Sequence, residues 1–106
     1  MGLRKEPENI GFYKKCENSV RKILLDRLPG DVKVFLFGSR VTNRGSFNSD
    51  IDVAILPGEN FDDRILYRIK DELEESYIPF KVDIVNLNEV DEGFKKHALK
   101  QAVQWR

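Results

Sequence analysis

"FLFGSRVTNRGSFNSDIDVAI", residues 35–55, joins two apolar runs through a polar loop and opens the second with two aspartates one residue apart. Side chains alternate along a strand, so a strand over 50–56 puts Asp50, Asp52, Ala54 and Leu56 on one face. Ile51, Val53 and Ile55 take the other, which is plain core. The first face begins with two carboxylates whose Cα atoms lie roughly 7 Å apart. Like charges that close destabilise each other unless a cation stands between them. A divalent ion meets that need, because Mg²⁺ takes carboxylate oxygens together with phosphate oxygens. D-x-D alone is weak evidence, since nine aspartates make a chance match easy. The plain alternative has Asp50 capping the strand in the turn "NSD" and Asp52 facing solvent.

Two further stretches shift the balance. The run "VKVFLF" (32–37) reads as a strand closed by Gly38-Ser39, and "SRVTN" after it can form a helical turn. Backbone N–H groups at such a turn favour a phosphate, and Gly38 lets it approach the backbone closely. Ser39 adds a hydroxyl donor and Arg40 a nearby charge. Taken alone, Gly-Ser after a strand is only a tight turn. In "FKVDIVNL" (80–87), Asp83 stands amid Phe80, Val82, Ile84 and Val85. An unpaired aspartate in a buried strand costs several kcal/mol, so it needs a partner. Lys81 shares its face but sits at the strand start, a poor candidate. If this strand lies beside 50–56, Asp83 joins Asp50 and Asp52, and three carboxylates with a phosphate cradle suit two-metal phosphoryl or nucleotidyl transfer.

The rest of the chain supplies the frame. Apolar residues at 12/13, 16, 20, 23/24 and 28 trace a helical stripe that Pro29-Gly30 ends. Asn60 and Asp63 read as an N-cap with a reciprocal acid, opening a helix with Phe61, Ile65, Ile69 and Leu73 on one face. A last helix runs from about Glu89 to Lys100, with a short strand at "AVQW". The expected fold is α/β (α+β), a small mixed sheet packed with helices, in a single domain over residues 1–106. No apolar run is long enough to span a membrane, and no signal-peptide core follows the N-terminus. One cysteine, Cys16, in phase with the helical stripe, predicts a half-buried core thiol rather than a nucleophile, in a reducing cytoplasm. A single histidine, His97, rules out a zinc site built on Cys and His. Net charge is zero, which argues against direct nucleic-acid binding. The charge is nevertheless uneven: residues 50–92 carry thirteen acids against four bases, and the flanks are basic.

"FGSRVTNRGSFNSDIDVAI" followed by "VDIV" resembles the signature of the nucleotidyltransferase superfamily that includes DNA polymerase beta. The short length and layout resemble its minimal nucleotidyltransferase (MNT) branch, over about residues 10–100. The resemblance implies that Gly38, Ser39 and Arg40 bind the triphosphate of ATP, that Asp50 and Asp52 bind two Mg²⁺ (or Mn²⁺) ions, and that Asp83 completes the metal site beside the acceptor hydroxyl. One position departs from the pattern: Asn43 stands where the family usually has glycine, and asparagine tolerates left-handed backbone best after glycine. MNT proteins pair with small helical HEPN-domain proteins as toxin–antitoxin systems, so the resemblance implies an antitoxin that adenylylates a partner hydroxyl, tyrosine being the expected one. The competing reading is an antitoxin that binds nucleotide without catalysis and acts by contact. A D-x-D glycosyltransferase fails on length, since 106 residues leave no room for a nucleotide-sugar domain.

Overall fold

The computed structural model describes residues 8–38 and 50–106. Helix α1 (Glu8–Arg27) exists because its apolar residues recur every fourth position, and Cys16, Val20 and Leu24 are all buried along it, as is Leu28 just after it. Strand β1 (Lys33–Phe37) follows after the Pro29-Gly30 break, then β2 (Ile51–Leu56), helix α2 (Arg64–Glu75), β3 (Val82–Asn86), helix α3 (Glu92–Lys100) and the two-residue β4 (Val103–Gln104). The sheet order is β3-β2-β1-β4. Both neighbours of β1 run antiparallel to it, whereas β2 and β3 are parallel and joined by the α2 crossover. The expected mixed sheet with helices is therefore the observed one.

The alternation read from sequence sorts the two sheet faces. Val34, Leu36, Ile51, Val53 and Ile55 form the core with Val20 and Leu24 of α1, Leu28 just after it, and Ile69 and Leu73 of α2. Each such side chain contributes roughly 1.5–3 kcal/mol by leaving water, so this layer dominates stability. The opposite face is not simply solvated, since Ala54 is fully buried there. Helix α3 packs beside β1 on this side, with Phe94 meeting Phe37 edge-on at 6.2 Å.

Two helix starts differ from the sequence reading. Helix α2 begins at Arg64, and neither Asn60 nor Asp63 caps it with its side chain. Asp62 does that work: its carboxylate accepts the Arg64 backbone N–H at 3.0 Å and the Arg64 guanidinium as well. Phe61 packs against the core just before that point. Helix α3 starts at Glu92 rather than near Glu89, because Asp91 accepts the Phe94 N–H at 2.7 Å as an N-cap. The C-terminus is stapled down: the Arg106 guanidinium donates to the carbonyls of Leu25, Leu28, Pro29 and Val32, at the end of α1, where the last carbonyls lack helical partners, and in the connection to β1. Among the described residues no helix is long and apolar enough to cross a membrane.

Candidate active site

Strand register decides which of the candidate residues meet. In the parallel β2–β3 ladder Asp52 is the partner of Asp83, so the two side chains stand on the same face of adjacent strands, about 4.8 Å apart at the backbone. In the antiparallel β1–β2 ladder Asp52 is the partner of Phe37, the residue before Gly38. Gly38 has φ +86°, in the left-handed region that favours glycine. A Cβ on Gly38 would overlap the Asp52 carboxylate, reaching its Cγ at 3.1 Å. The Asp52 side chain thus lies directly over the end of β1, against backbone that only glycine leaves open.

Asp50 precedes β2 by one residue and is exposed. The Ile51 N–H donates to the Lys81 carbonyl at 2.8 Å, which carries the ladder one step back and sets Lys81 level with Asp50. Asp50, Asp52, Lys81 and Asp83 therefore form a two-by-two array at one end of the sheet. Among the described residues no three Asp, Glu, His or Cys side chains converge tightly enough to form a metal-holding group. Like-charged carboxylates on one face repel, and Lys81 draws Asp83 aside: its Nζ lies 3.8 Å from Asp83 Oδ1. Lys81, a poor partner on sequence grounds, is thus the ion-pair partner observed. Asp83 is also far less buried than its apolar neighbours suggest, its side chain 44% exposed, because β3 is an edge strand. The donor chemistry still suits Mg²⁺ or Mn²⁺, which need only one or two protein carboxylates beside phosphate and water. Ser39, Arg40, the "SRVTN" turn, the "NSD" turn and Asn43 lie outside the described residues.

A groove of about 450 Å³ runs along the open edge of β3, with Phe80, Lys81 and Asp83 on one side and Lys70 and Glu74 of α2 on the other. One feature of this end of the sheet escaped the sequence reading: the Phe37–Phe94 contact, which no local pattern announces.

Comparison with known proteins agrees with the fold. Residues 20–104 match the family described as "Polymerase beta, Nucleotidyltransferase". The chain is 34% identical over 83 residues to the "Probable protein adenylyltransferase MntA" of Haemophilus influenzae, covering 78% of this chain and 73% of that one. Among solved structures it resembles a toxin–antitoxin crystal structure with AMP-PNP (TM-score 0.68, 29% identity, 85% of this chain and 72% of the other). It also resembles the MNT antitoxin in complex with the tri-AMPylated HEPN toxin of Shewanella oneidensis (TM-score 0.64, 26% identity, 89% and 71% of the two chains).

Proposed function

The chain belongs to the polymerase beta nucleotidyltransferase family, and we propose that it transfers AMP from ATP to a tyrosine hydroxyl of a small helical HEPN-domain partner, serving as the antitoxin of that pair in the cytoplasm. The observation that carries this reading is the register pairing of Asp52 with Asp83 over the Gly38 backbone. It joins carboxylates to a glycine-lined approach for phosphate, which neither D-x-D nor Gly-Ser provides alone. The names of the relatives point the same way, since one is named a probable protein adenylyltransferase and another was solved with its toxin AMPylated.

Asp50, Asp52 and Asp83 would hold two Mg²⁺ or Mn²⁺ ions, which when bound lower the pKa of the attacking hydroxyl and neutralise charge on the leaving pyrophosphate. The chain's own groups do the rest. Gly38, with Ser39 and Arg40, holds the β- and γ-phosphates so that the α-phosphate lies in line with the acceptor. The acceptor oxygen bonds to the α-phosphorus, the bond from that phosphorus to the bridging oxygen breaks, and pyrophosphate leaves. Asp83, the register partner of Asp52, takes the acceptor's proton. The acceptor hydroxyl arrives on a protein that docks by its own surface. The acidic α2 region and the basic flanks supply complementary patches that speed encounter.

Co-expressing the partner with wild type or with the Asp50→Asn/Asp52→Asn double variant, then weighing the partner by mass spectrometry, tests this. AMP on a tyrosine only with wild type is expected. An unmodified partner that both versions silence equally well would leave contact as the mechanism.

A further inference from the structure

We propose that Lys81 is a resting counterion of the site, holding Asp83 until a divalent ion takes its place. The inference rests on the metal-site reading above and adds to it a residue outside the family signature. Three observations carry it. Lys81 and Asp83 are two apart on β3 and so share a face, and they are paired at 3.8 Å. The Ile51 to Lys81 hydrogen bond fixes the start of β3 against β2, so the Lys81 backbone is held level with Asp50. The Lys81 side chain is 71% exposed, so its position is set by charge rather than by core packing.

The array therefore carries three carboxylates and one ammonium. A divalent ion bound through Asp83 and the same ammonium bound to Asp83 compete for one oxygen, and each weakens the other by the coupling between them. Lys81 spares the carboxylates their mutual repulsion at rest and disfavours an ion that arrives alone. When the ion arrives with a triphosphate, the displaced ammonium has phosphate oxygens to turn to. Lys81 is in this sense a positioning residue, acting on Asp83 rather than on the reacting atoms.

Calorimetric titration of Mn²⁺ into nucleotide-free wild type, Lys81→Met, Lys81→Arg, Asp83→Asn and the Lys81→Met/Asp83→Asn double variant tests this. Lys81→Met should bind Mn²⁺ about two- to five-fold more tightly at low salt, the factor expected of an exposed ion pair. The gain should shrink in high salt. Lys81→Arg should bind as wild type does, and the gain should vanish in the Asp83→Asn background. Melting temperatures should stay close to wild type throughout, which separates a counterion from a structural residue. Unchanged or weaker Mn²⁺ binding by Lys81→Met would overturn the inference and leave the metal site standing. Absence of Mn²⁺ binding by wild type would overturn both.

Discussion

Replacing Gly38 with alanine probes the joint between backbone and site. Gly38 has φ +86°, where an L side chain costs roughly 1–2 kcal/mol. The added Cβ would overlap the Asp52 carboxylate and come within 3.1 Å of its Cγ and 3.2 Å of its Cβ. Relief requires Asp52 to leave its rotamer, which costs roughly another 1 kcal/mol. The sum, about 2–3 kcal/mol, corresponds to a fall in Tm of roughly 8–20 °C for a domain of this size. Because the carboxylate itself is what moves, ATP binding in Mg²⁺ should fall along with stability. Gly11 supplies the opposite control: it lies inside α1 with nothing within 4 Å of an added Cβ, so Gly11→Ala should gain about 0.5–1 kcal/mol. Differential scanning calorimetry with ATP titration on both variants decides the matter. A Gly38→Ala protein that melts within about 2 °C of wild type would refute the strain argument. One that melts early yet binds Mg²⁺ and ATP normally would refute the link between Gly38 and Asp52.

Three other outcomes follow from the same structure. Asp52→Asn should abolish transfer without loss of Tm, since it keeps the volume and removes the charge; collapse of the fold instead would mark Asp52 as structural. Arg106→Ala removes four hydrogen bonds to carbonyls at the end of α1 and in the connection to β1, and chemical denaturation should show a loss of about 1–3 kcal/mol. The Arg64 guanidinium, and after it the Arg64 backbone N–H, hold the Asp62 carboxyl below the usual carboxylate range. A depressed folded pKa gives stability that is present above the unfolded value, about 3.9, and lost as pH falls through the folded value. The start of α2 should therefore hold from neutral pH down to about 4, and an NMR titration placing the Asp62 midpoint at or above the ordinary aspartate value would contradict it.

Strands β1, β2 and β3 were legible because β-branched runs bounded by Gly, Pro and Asp leave little choice of period. The aspartates of the site were legible for the converse reason: charge inside such a run demands an explanation. Long-range pairings were not legible. Nothing local to residue 106 says that its guanidinium caps a helix ending near residue 28. The parallel register that makes Asp52 and Asp83 neighbours depends on how the α2 crossover packs, and the sequence offered it only as a condition. The cap of α2 was misread because Asn60, Asp62 and Asp63 are all competent caps, and the inward turn of Phe61 chooses between them. Lys81 was discounted because it sits at the strand start, whereas an edge strand leaves a half-exposed carboxylate within reach of a flexible lysine even there.

Titrating ATP into the wild-type protein by calorimetry, once with Mg²⁺ and once with EDTA, tests most directly whether this end of the sheet is a metal-dependent nucleotide site. Carboxylates alone repel a triphosphate. The account predicts tight binding with Mg²⁺ that disappears in EDTA and in Asp52→Asn, whereas equal affinity with and without the ion would contradict it.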